Sequence, residues 1–152
     1  MNQQVDVRAV ESILYGIYKA TYNTMGESSA SLMRRVAPEI FSMIEKLGGD
    51  FSSIDDLDSL EKKISETLNE LGMCEKITFK QKDDLLIADV TKNAFCQLTK
   101  RLKDEGIPLF GCPFAAVTIA IAERVLKKKA RLKTLEPAAD GESNTHVVVQ
   151  LS

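Results

Sequence analysis

Cys112 is the residue whose position suggests chemistry most directly. It precedes Pro113 and Phe114 and the apolar run from Ala115 to Ala122. Proline suits the first position of a helix, because its fixed φ fits the first turn and its missing N–H had no partner there. Cys112 is therefore expected at a helix N-terminus, where free N–H groups and the positive end of the macrodipole favour a thiolate with a depressed pKa. Free cysteine is also among the most often buried residues, so a packed structural thiol is the competing reading. Other catalytic patterns are missing. The single histidine, His146, lacks a nucleophile elbow or an orienting acid nearby, and Gly48-Gly49 lacks the spacing and lysine of a phosphate loop. Tyr15, Tyr18 and Tyr22 recur at helical spacing, as core or interface aromatics do. The run Lys127 to Lys133 holds five cations in seven residues and reads as the solvated C-terminal end of the helix that follows Cys112.

The composition frames these candidates. A chain of 152 residues, 44% hydrophobic and 28% charged, suits one domain with one core. A net charge of −2 gives no general attraction to nucleic acid or anionic lipid, so such binding would need a local patch. The start Met1 to Asp6 is polar, with no apolar segment of a secretory signal, and no apolar run reaches the length of a membrane span. Three cysteines, Cys74, Cys96 and Cys112, make no disulfide framework. These features predict a cytoplasmic protein with reduced thiols.

The elements that must position the candidates follow from periodicity. Val7, Val10, Ile13, Leu14, Ile17, Tyr18 and Tyr22 mark a helix from Val7 to Thr24 that Gly26 ends. A second helix is predicted over Ser29 to Leu47, kinked or divided by Pro38 near Val36–Ala37, and a third over Asp58 to Leu71. Alternation at Lys76–Gln81 and Leu85–Thr91, joined by a turn, predicts a hairpin. Helices over Asn93–Lys103 and after Cys112 follow, then strands at Ala130–Leu135 and Thr145–Leu151 about a turn containing Gly141. Three helices, a hairpin, two helices and a second hairpin imply an α+β domain with a four-stranded, mainly antiparallel sheet.

From Cys96 to Leu151, the order of cysteine, loop, Cys-Pro-Phe, apolar helix, short strand, glycine turn and final strand resembles the 4-vinyl reductase domain of archaeal hydrocarbon-binding proteins. That domain shares its fold with haem nitric-oxide-binding sensor domains and small subunits of the TRAPP tethering complex. The helices Val7–Thr24 and Ser29–Leu47 extend the resemblance. It implies a small-molecule-binding module and a recurring cysteine pattern. Cys96 and Cys112 match two of its positions, and His146 stands near a third. Thiolates and imidazole are zinc ligands, so Cys96, Cys112 and His146 form a candidate metal set, with Glu136, Asp140 or water as fourth donor. No close Cys-x-x-Cys pair supports it.

Three functions remain open. The favoured one is non-catalytic binding of a small hydrophobic molecule in a pocket lined by Phe114, Val117 and Ile121 of the apolar helix and by Ile17 and Tyr18 of the first helix. This form is expected to be a homodimer joined through its first two helices. The second is a reductase or hydrolase using Cys112 as thiol or metal ligand. The third is a dimeric regulatory or assembly protein whose segment Lys127–Lys133 touches nucleic acid or an acidic partner.

Overall fold

The structure, a computed structural model, describes residues 3–108, 112–137 and 144–152. The helices are α1 (Val7–Met25), α2 (Met33–Gly48), α3 (Leu57–Glu70), α4 (Cys96–Asp104) and α5 (Pro113–Arg124). The strands are β1 (Lys76–Lys82), β2 (Leu85–Thr91), β3 (Ala130–Pro137) and β4 (Thr145–Leu151). The strands form one antiparallel sheet in the order β1-β2-β4-β3. The α+β expectation holds, and the element order is the one that periodicity predicts. Gly111, Asp140 and the turn around Gly141 lie outside the described residues.

Local chemistry explains most boundaries. The Asp6 carboxylate accepts the Arg8 N–H at 2.9 Å to start α1, and Asp56 accepts the Ser59 N–H at 2.8 Å to start α3. Gly26, with φ of 59°, ends α1 in a conformation that costs a glycine little. The chain then passes through a 3-10 segment, Gly26–Leu32, before α2. Of the expected kink or division near Val36–Ala37, the division does not occur. α2 runs through Pro38, and the division falls earlier, where the 3-10 segment meets Met33. Pro38 is the sixth residue of α2, so its missing N–H leaves the Arg34 carbonyl, one turn earlier, without its intrahelical donor.

α5 is the central helix. From Phe114 to Ala122 it carries no charge, and all but half-buried Ala120 are buried. It packs on α2 and across β2, β3 and β4, while α3 covers β1. Along β4 burial alternates strictly: Thr145, Val147, Val149 and Leu151 face the helices, and His146, Val148 and Gln150 face away. The apolar stripe of α1 is only partly covered. Tyr18 is buried, but Ile13 and Ile17 are 66% and 51% exposed. On α2, Met43 and Leu47 are also exposed.

Candidate functional site

Cys112 caps α5 in an extended conformation, as its place before Pro113 suggests. Of its two expected readings, the packed structural thiol is the one its surroundings match. Burial pushes the thiol up to about 11, outweighing the backbone N–H groups of Ala115 and Phe114 that favour the thiolate. A helix terminus lowers a thiol pKa only where water or a cation also solvates the anion, and Cys112 is 6% exposed. Around it, Leu14, Tyr18, Phe95, Leu98 and Phe114 enclose a void of about 20 Å³, room for about one water and no substrate. Cys74 is likewise buried, and its thiol is pushed up to about 11 by the same cause.

The candidate metal set is not brought together. Among the described residues no group of three or more His, Cys, Asp or Glu side chains is placed to hold a metal. The alternation of β4 gives the reason. Thr145 points inward, where its hydroxyl accepts a hydrogen bond from buried Asn93 at 2.9 Å. His146 therefore points to the opposite face, away from the helix that Cys112 caps. There its Nδ1 lies 2.6 Å from Asp89 Oδ1 on the neighbouring strand.

The residues assigned to the predicted pocket lie mostly in the core. Phe114, Val117 and Ile121 are fully buried core residues, packed closely enough that only Phe114 borders even the small void beside Cys112. Tyr18 borders the same void, and Ile17 faces outward.

A groove of about 550 Å³ lies elsewhere, along the outer edge of β3. It falls within the usual range for small-molecule sites. Ile107 and Pro108, after α4, form its floor together with Ile119 of α5 and Leu132 and Leu135 of β3. Arg34, Lys103, Arg131 and Lys133 form its rim, with Ser31 and Thr134. A neighbouring hollow of about 360 Å³ shares Arg34, Ile119 and Arg131 and adds Lys129 and Glu123, so the depression continues along the strand.

Two structural ties fix the start of α4. The Glu11 carboxylate of α1 accepts the Leu98 N–H at 3.1 Å and so caps the first turn of α4, whose own preceding residue supplies no side-chain cap. Asn93 accepts the Phe95 N–H at 2.7 Å while donating to Thr145, which fixes the entry to α4 against β4. The basic run thus changes meaning. α5 ends at Arg124, Lys127 adopts a positive φ of 55° in the following turn, and Arg131 and Lys133 belong to β3 rather than to a helix end.

Residues 10–149 match the family described as "Putative rubredoxin C-terminal domain". The chain belongs to this family. An uncharacterized protein of Methanocaldococcus jannaschii is 28% identical over 115 residues, spanning 75% of this chain and 70% of its own length. Because the family description names rubredoxin, a thiolate-bound metal is the group to test against the residues. A tetrathiolate site takes four cysteines. This rubredoxin C-terminal domain has three, each buried, and among the described residues they join no metal-ligating cluster. Its donor set does not fit such a centre. Among the described residues no helix is long and apolar enough to cross a membrane.

Proposed function

We propose that this protein binds a small hydrophobic molecule without transforming it, and that the β3-edge groove is where it does so. The observation that carries the reading is a depression of about 550 Å³ with a floor of Ile107, Pro108, Ile119, Leu132 and Leu135. Apolar surface of this kind contributes about 25 cal/mol per Å² when a ligand covers it, before association costs. The resemblance of residues 96–151 to 4-vinyl reductase domains points in the same direction, toward ligand capture. The thiol-enzyme alternative is weakened by Cys112 itself, which is protonated at neutral pH and enclosed.

The reading is tested by thermal denaturation against a panel of hydrophobic and aromatic compounds. A ligand of the native state raises the melting temperature with its concentration, as mass action requires. Leu132→Trp places an indole in the groove from a half-buried strand position and is expected to abolish those shifts while the circular dichroism of the fold is retained. A panel without shifts, alongside salt-sensitive binding of duplex DNA that disappears when Lys127, Lys128 and Lys129 are neutralised, would replace this reading with the regulatory one.

A further inference from the structure

We infer that the groove's ligand is an amphiphile with an anionic head, carboxylate or phosphate, held between Arg34 and Arg131 with its apolar body on Ile119 and Leu132. The inference rests on the ligand-binding reading above and specifies the ligand's charge. The chain as a whole carries net charge −2, yet among the described residues the lining of the main groove contributes four cations and no carboxylate. Of these, Lys103 is paired with Glu136 at 3.1 Å at the surface. Among the described residues, Arg34, Arg131 and Lys133 make no ion pair. Unpaired like charges around one depression repel each other, and an anion seated among them relieves that repulsion.

The placement of the two arginines narrows the position of the head. Arg34 and Arg131 border both the main groove and the adjoining hollow, so they stand where the two meet. One comes from α2 and the other from β3. Guanidinium forks from two elements suit the planar oxygens of a carboxylate or the tetrahedral oxygens of a phosphate. Arg34 also sits in the first turn of α2, which holds no acidic residue. A cation at the positive end of a helix dipole is locally unfavourable, and a bound anion reverses the sign of that interaction. Glu123 of α5 lines the adjoining hollow but not the main groove, so repulsion by its carboxylate favours the main-groove side for an anion. The floor between the arginines is apolar, which a free inorganic anion would leave unused.

The test is calorimetric titration of the full chain with chain-matched probes below their micelle concentrations. These are dodecanoate, dodecyl phosphate, dodecanol and dodecyltrimethylammonium. Both anions are expected to bind at least about tenfold more tightly than the alcohol, and the ammonium compound more weakly still. The order of the two anions distinguishes a carboxylate source from a phosphate source. In Arg34→Gln/Arg131→Gln the anion affinities should fall to that of dodecanol, dodecanol itself should be unaffected, and the unliganded melting temperature should hold. Equal binding of dodecanol and the anions, or anion binding unchanged in the double variant, would overturn the head-group assignment and leave the ligand-binding reading standing. Failure of every probe, dodecanol included, in protein whose fold is verified would overturn both.

Discussion

Replacing Cys112 separates a structural thiol from a functional one, because only a functional thiol predicts rapid labelling and a loss of ligand binding with stability intact. The thiol is 6% exposed and is pushed up to about 11 by burial. Relative to an ordinary thiol near 9.0, that lowers the thiolate fraction at neutral pH by about a hundredfold before accessibility is considered. Alkylation of the folded protein should therefore be slower at Cys112 than at a free thiol by at least about that factor. Serine at this position keeps nearly the same volume, and it is also a strong N-cap. Its hydroxyl can accept from the Phe114 or Ala115 N–H, a contribution of about 1 kcal/mol relative to alanine. Cys112→Ser should thus exceed Cys112→Ala in stability by about that amount, with both variants retaining groove binding. Urea unfolding, calorimetry and peptide mapping after timed labelling read these outcomes. Rapid alkylation of Cys112 in the folded protein, or loss of ligand binding in Cys112→Ser with stability intact, would refute the structural role and restore the thiol as the functional group.

Two other perturbations test the frame around the groove. Glu45 receives Arg124 through 2.7 and 3.1 Å contacts, and the Arg124 guanidinium holds its carboxyl below the usual range; Glu45→Gln should cost about 1 kcal/mol at pH 7, since the pair is only partly buried. A depressed carboxyl pKa stabilises the fold above the unfolded value, about 4.3, and that stability is lost as pH falls through the folded value, so wild type and Glu45→Gln should converge in acid; a gap unchanged down to pH 2 contradicts the assignment. At Gly48, an added Cβ would meet Thr67, lying 2.5 Å from its Oγ1 and 2.8 Å from its Cβ, so Gly48→Ala should cost about 2 kcal/mol by denaturant unfolding and less in a Thr67→Ala background; a neutral Gly48→Ala would show that α2 and α3 are not so closely apposed.

Elements were legible where one local pattern decided them. The strand over Leu85–Thr91 follows from alternation, and α5 follows from proline at its start and an uncharged run behind it. Partners across the fold were less legible. The apolar stripe of α1 is wider than the surface it covers. Leu14 and Tyr18 lie against the core, whereas Ile13 and Ile17, one residue earlier in each pair and about 100° around the helix, face outward. A signal against the metal set was present in the sequence, because Val147, Val149 and Leu151 define the inward face of β4 and place His146 on the other. The groove left no comparable trace. Its residues come from four separate segments, around Arg34, Ile107, Ile119 and Leu132, and only the basic run marked one wall.

The proposed ligand would give the cations of β3 a role beyond solubility. β3 is an edge strand, and lysines and bulges are common devices that keep such edges from pairing with another chain. Its register shifts between Leu132 and Thr134, leaving Lys133 as the extra residue. Protection of the edge accounts for a bulge and for charge of either sign. It does not account for charge of one sign gathered around an apolar floor, with Arg34 of α2 and Lys103 of α4 completing the ring from helices that have no edge to protect. In a chain with 22 acidic and 20 basic residues, a rim drawn from three elements and, among the described residues, free of carboxylates is a departure from the average surface. The bulge also lets consecutive β3 residues Arg131 to Leu135 all border the depression, where a regular strand would present alternate ones to each face. On the proposed reading, edge protection and ligand capture would use the same backbone irregularity, and only the second would require the helix-borne cations.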